Sequence, residues 1–123
     1  MRVILLVLVL AVAAAGCGVG SATDEEKISK TASTYLRALA ESDTATACAQ
    51  LTPRARGEAC DQAMKERLPS LDPGVLNNAA DDSMEIDVDG NRASAGLSEP
   101  EGARFLLVKT NDVWRIDSGY TLN

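Results

Sequence analysis

The hydrophobic period of this chain changes once, at Ser83, and that change limits the folds open to it. Before Ser83 the apolar residues recur at helical spacing; after it they alternate. Ile28, Ala32, Tyr35, Leu36 and Leu39 share one helix face, with Lys27, Lys30, Arg37 and Glu41 mostly on the other. Thr23 and Glu26 make a capping-box pattern, and Asp24, Glu25 and Glu26 suit the positive end of a helix. The spacing predicts a first helix from Asp24 to Glu41. A short second helix follows from Ala45 to Leu51, capped by Asp43 or Thr44, with Ala45, Cys48 and Leu51 inward. Thr52-Pro53 opens a third helix, expected to reach Leu68, although Gly57 weakens its first turns. Pro69, Pro73 and Gly74 then break the chain, leaving Val75 to Ala80 for one more turn.

From Ser83 onward the pattern is that of strands. Met84, Ile86 and Val88 alternate with Glu85, Asp87 and Asp89, placing the apolar set on the core face and the acids in solvent. Asp89-Gly90-Asn91 signals a tight turn, and the return strand carries Ala93, Ala95 and Leu97 inward. Ala103 to Thr110 reads as a third strand; the apolar run Phe105 to Val108 predicts a central position covered on both faces. Asn111-Asp112 turns the chain into a fourth strand, Val113 to Asp117, with Trp114 and Ile116 on one face. Helices first and an antiparallel meander second is an α+β arrangement of N-terminal helices packed on about four strands.

Ahead of this domain stands a different kind of segment. Arg2 precedes thirteen residues, Val3 to Ala15, without a polar side chain. A membrane span needs about 20 apolar residues, so the run has the length of a signal-peptide core. It ends in Ala14-Ala15-Gly16-Cys17, which resembles the lipobox of bacterial lipoproteins, with Ala14 where the usual motif has leucine. The resemblance implies a signal peptide over residues 1–16, lipid on Cys17, and a tether over residues 17–22. It also implies a place on the outer face of the cytoplasmic membrane for the single domain over residues 23–123. An ordinary secretory signal cut near Ala15, or an uncleaved anchor, are the alternatives.

Charge and residue types exclude several functions. The whole chain carries a net charge of −6, and removing residues 1–16 takes away Arg2 and no acid, leaving the rest more acidic still. Such a domain lacks the basic stripe that nucleic acid requires, so no nucleic-acid partner is expected. Its surface should be repelled by anionic lipid, which leaves the acyl chains on Cys17 as the membrane contact. There is no histidine, which removes Ser-His-Asp and Cys-His catalysis and the commonest metal ligand. With Cys17 taken by lipid, Cys48 and Cys60 remain, an even pair in an exported chain, read as a disulfide that closes a short loop. Neither a Cys-x-x-Cys redox motif nor a zinc set is present. The acids Asp81, Asp82, Glu85, Asp87 and Asp89 lack the spacing of a calcium loop, so no cofactor or metal is expected.

Three stretches carry a further resemblance. Tyr35-Leu36-Arg37-Ala38-Leu39 leads to Cys48 and Leu51-Thr52-Pro53; Val88 to Ala93 forms the first turn; Val113-Trp114-Arg115-Ile116-Asp117 closes the set. Together they resemble small actinobacterial lipoproteins with a nuclear-transport-factor-like (SnoaL-like, cystatin-related) domain. The resemblance implies a cone-like fold in which a curved sheet wraps the first helix, with a pocket at the open end of many members. Tyr35 and Trp114 are the candidate pocket residues, and no catalytic set is recognised. The expected function is a lipid-anchored extracytoplasmic interaction module whose partner is an envelope protein or a small apolar ligand. A small isomerase- or hydrolase-like enzyme using Tyr35 and a carboxylate is the alternative. Asp117 is expected to cap a turn or pair with Arg115.

Overall fold

A computed structural model describes residues 23–122. Among the described residues five α-helices precede four strands: α1 (Asp24–Ala40), α2 (Thr44–Ala49), α3 (Pro53–Arg56), α4 (Cys60–Arg67) and α5 (Pro73–Asp81), then β1 (Glu85–Asp89), β2 (Arg92–Gly96), β3 (Arg104–Thr110) and β4 (Val113–Gly119). A 3₁₀ turn, Leu68–Ser70, links α4 toward α5. The strands form one antiparallel sheet in the order β1-β2-β3-β4, so the architecture is α+β. Among the described residues no helix is long and apolar enough to cross a membrane.

Helix α1 follows its sequence signals closely. The Thr23 side chain accepts from the Glu26 N–H, three acids occupy the first turn, and Arg37 lies in the last. Its buried stripe of Ile28, Ala32, Tyr35, Leu36 and Leu39 packs against the inner face of the sheet, which supplies Ala93, Ala95, Phe105, Leu107, Trp114 and Ile116. Burying a side chain such as Ile28 or Leu36 stabilises by about 1.5–3 kcal/mol, and α1 also packs along α5 and α2, so it is the element shared by both layers. Asp43 caps α2 by accepting from Thr46 N–H at 3.2 Å.

The expected third helix is two helices. Gly57 adopts φ 63°, ψ −175°, a conformation essentially reserved for glycine. It ends α3 after one turn and lets α4 restart at Cys60. Helix α5 is longer than the single turn expected, because Asp72 accepts from the N–H groups of Gly74 and Val75 and Pro73 sits at the first helical position.

Strand β3 is not covered on both faces. Phe105 and Leu107 are buried, whereas Leu106 is 46% exposed, because among the described residues no layer lies on the outer side of the sheet. Strand β1 also departs from expectation: Met84 and Ile86 are half-buried and Val88 is 39% exposed. Strand β4 runs past Asp117 to Gly119. Leu106 pairs with Ser118 and Leu107 with Ile116, so Asp117 is an extra residue, a β-bulge. At Gly119 (φ 129°) a Cβ would stand 2.2 Å from the Arg104 carbonyl oxygen, and only glycine allows that approach. The far side of β4 is occupied by the α2–α3 connection. Ile116 N–H donates to Gln50 O at 2.8 Å and Thr52 N–H to Ile116 O at 2.9 Å, pairing Leu51 with Ile116 in parallel.

Candidate functional site

Cys48 lies in α2 and Cys60 opens α4; the structure joins them in a disulfide. Both are buried, at 3% and 7% exposure, so the bridge fastens α4 to the helical layer across the Thr52-Pro53 bend. Thr44, the buried polar residue beside it, donates its hydroxyl to Asp61, which also pairs with Lys65 at 2.9 Å. The Thr44 hydroxyl, and Lys65 after it, hold the Asp61 carboxyl below its ordinary value. Cys17 and the signal-peptide and tether segments lie outside the described residues.

Tyr35 is completely buried. Its ring meets Phe105 edge-on at 5.5 Å, and its hydroxyl pairs with Thr121 Oγ1 at 2.5 Å and lies 4.0 Å from Met64 Sδ. Arg67 Nη1 donates to the Thr121 carbonyl at 2.5 Å. Thr121 is held at φ 72°, which a β-branched residue rarely adopts. Burial pushes the Tyr35 phenol up to about 12, against smaller opposing effects of the Thr121 hydrogen bond and Arg67. Among the described residues no carboxylate hydrogen-bonds to this phenol. It ties α1 to the end of the chain's last strand.

Trp114 is also buried, at 3% exposure. Its indole N–H donates to Asp24 Oδ1 at 3.0 Å, and the Lys109 ammonium sits 5.4 Å from its ring centroid and 3.5 Å from Asp24 Oδ2. The indole donor, with Lys109 helping, holds Asp24 below the usual carboxylate range. Asp24 and Tyr35 are eleven positions apart on α1, about 16 Å along the helix at 1.5 Å per residue. The polar atoms of the two candidate pocket residues are tied to different partners, Trp114 to Asp24 at the start of α1 and Tyr35 to Thr121.

Asp117 pairs with Arg54, not with Arg115. Its carboxylate accepts from Arg54 Nε at 3.2 Å and Nη2 at 2.5 Å, and from the Thr52 hydroxyl at 2.8 Å. The bulge turns this side chain off the sheet and toward α3, whose N-cap is Thr52. The Arg54 guanidinium is the main reason that the Asp117 carboxyl lies below its ordinary value. Two of the stretches that carry the family resemblance, Leu51-Thr52-Pro53 and Val113 to Asp117, thus meet directly. The Thr52-Pro53 start is visible in sequence, but its distant partner on β4 is not, because nothing in an alternating strand marks a bulge.

Among the described residues no group of three His, Cys, Asp or Glu side chains is placed to hold a metal ion. One open depression lies between the flank of α1 (Ser29, Lys30, Ser33) and the β1 side of the sheet (Met84, Ile86). No protein-family profile, curated protein or solved structure significantly matches this chain.

Proposed function

We propose that this chain is a lipid-anchored, extracytoplasmic interaction module of a bacterial cell envelope, of the SnoaL-like kind. It would be held at the outer face of the cytoplasmic membrane by acyl chains on Cys17. The observation that carries the reading is the apolar run of Arg2 to Gly16 delivered into Ala14-Ala15-Gly16-Cys17. The Cys48–Cys60 disulfide supports it, since such bonds persist in oxidising compartments. Helix α1 starts at its Thr23 cap, so residues 17–22 give a tether of at most about 20 Å at 3.3–3.6 Å per residue. Such a length keeps the domain against the bilayer. Binding is favoured over turnover because the Tyr35 phenol is engaged by Thr121 within the core. The isomerase- or hydrolase-like alternative needs a carboxylate at that phenol.

The test is the intact mass of the mature protein extracted from its native membrane. The expected mass is that of residues 17–123 plus acyl chains, less two hydrogens for the disulfide. A chain beginning elsewhere, without lipid and with free thiols, overturns the reading.

A further inference from the structure

The sheet stops short of covering its own core face. On the inner side Ile86 pairs with Ala95 and Val88 with Ala93; both alanines are buried, whereas Ile86 is half-buried and Val88 is 39% exposed. The cause is position: β1 is an edge strand, and α1 does not reach across its outer edge. A groove of about 550 Å³ is left between Met84 and Ile86 on one wall and Ser29 and Ser33 of α1 on the other.

The same edge leaves backbone groups unpaired. The turn between β1 and β2 has two central residues, Gly90 and Asn91, with Asp89 opposite Arg92. Such a turn closes on a hydrogen-bonded pair. Antiparallel alternation then directs the N–H and C=O of Asp89, Asp87 and Glu85 toward β2 and those of Val88 and Ile86 outward. The opposite edge of the sheet is bridged by residues 50–52. Among the described residues no backbone group pairs with β1 from its outer side.

We propose that this edge accepts one extended segment of a partner protein as an added strand. Its inward side chains would be apolar and fill the groove over Met84 and Ile86; its outward side chains would be basic. Charge selects that chemistry. Glu85, Asp87 and Asp89 stand exposed along the solvent side of β1, and the groove is flanked by two acids, Glu25 and Glu26, against one base, Lys30. A second copy of β1 is a poor occupant, because antiparallel self-pairing centred on Asp87 sets Glu85 against Asp89 and Asp87 against itself. Like charges directly opposite destabilise a pair. The acids therefore discourage self-association while they attract a lysine- or arginine-bearing strand. This inference rests on the reading of the domain as an interaction module and not on the lipid anchor. The mass measurement above and the experiment below can fail independently.

The experiment titrates the full chain, in a nonionic detergent at physiological ionic strength, with a short alternating lysine–valine peptide and with its glutamate–valine counterpart. Binding is followed by fluorescence anisotropy and by amide exchange at Ile86 and Val88. The lysine–valine peptide is expected to bind and to slow exchange at these two amides by about tenfold or more, while the glutamate–valine peptide does neither. Val88→Pro removes an outward N–H, a change an edge strand tolerates, and is expected to abolish binding. Asp87→Lys, which leaves the backbone intact, is expected to weaken it about tenfold. Equal binding of both peptides, protection located elsewhere, binding indifferent to Asp87→Lys, or β1 amides already protected in a self-associated protein each overturn the proposal.

Discussion

Opening the Cys48–Cys60 bridge should cost this domain a large part of its stability. The bond spans a sequence separation of 12, and the loop it closes contains the Thr52-Pro53 bend, α3 and Gly57. In the chain-entropy model a loop of that size restricts the unfolded ensemble by about 3 kcal/mol. Small domains are stable by only about 5–15 kcal/mol in total. At about 4–8 °C per kcal/mol for a domain of roughly 100 residues, the melting midpoint should fall by about 12–24 °C on reduction. The assay is thermal unfolding followed by far-ultraviolet circular dichroism, on oxidised protein, on reduced protein, and on the double variant Cys48→Ala/Cys60→Ala. The double variant opens the loop without a reductant. It should melt at or below the reduced protein, because the two cysteines are 3% and 7% exposed and their removal also loses packing. A fall of less than about 4 °C, equivalent to 1 kcal/mol or less, would refute the reasoning. It would mean that the unfolded chain between α2 and α4 is already confined without the bond.

The remaining predictions concern the sheet's end and the titrating groups. Gly119→Ala places a Cβ 2.2 Å from the Arg104 carbonyl oxygen and 2.9 Å from Phe105 Cα, so a loss of about 2–4 kcal/mol is expected in urea unfolding; an unchanged midpoint contradicts the close approach. Tyr35 has its phenol raised from 10.0 to about 12 by burial. Folding therefore favours the neutral form, and the stability this contributes is complete below pH 10 and lost as pH rises to about 12. A tyrosinate absorbance titration should show one late step that Tyr35→Phe removes. Asp24, Asp61 and Asp117 are all lowered, by the Trp114 indole, the Thr44 hydroxyl and the Arg54 guanidinium respectively. Their contribution is present above the ordinary carboxylate value of 3.8 and lost as pH falls below it. Asp117→Asn should make the acid limb of a stability–pH curve shallower while leaving neutral-pH stability within about 1 kcal/mol, since Arg54 is mostly exposed.

Local signals report this fold well where one element decides its own form. The Thr23 cap, the apolar stripe to Leu39 and the two short turns of the meander are short-range features, and each stands where its residues imply. The cysteine pair is legible for a different reason: two sulfurs so near in sequence, with neither a Cys-x-x-Cys motif nor a histidine beside them, have few alternatives. What escapes depends on neighbours. The run Phe105 to Val108 looks the same whether one face or two are covered, and Leu106 is exposed because the described helices lie on the other side. Gly57 reads as a weak spot in a helix until its positive φ divides the helix in two. Asp117 finds Arg54 only because a bulge, invisible in an alternating pattern, re-aims it. The inward face of Tyr35 follows from helical spacing, but its hydroxyl partner, Thr121, comes from the far end of the chain.

The separation of Tyr35 from Phe105 and Thr121, and of Asp24 from Trp114, also bears on synthesis. The helix made first packs against the strands made last. A growing chain that has not yet delivered β3 and β4 has chiefly α2 and α5 to pack on α1, and its core still lacks Phe105, Leu107, Trp114 and Ile116. The helical layer can therefore gather first, but its sheet-facing side stays open until the last strands arrive.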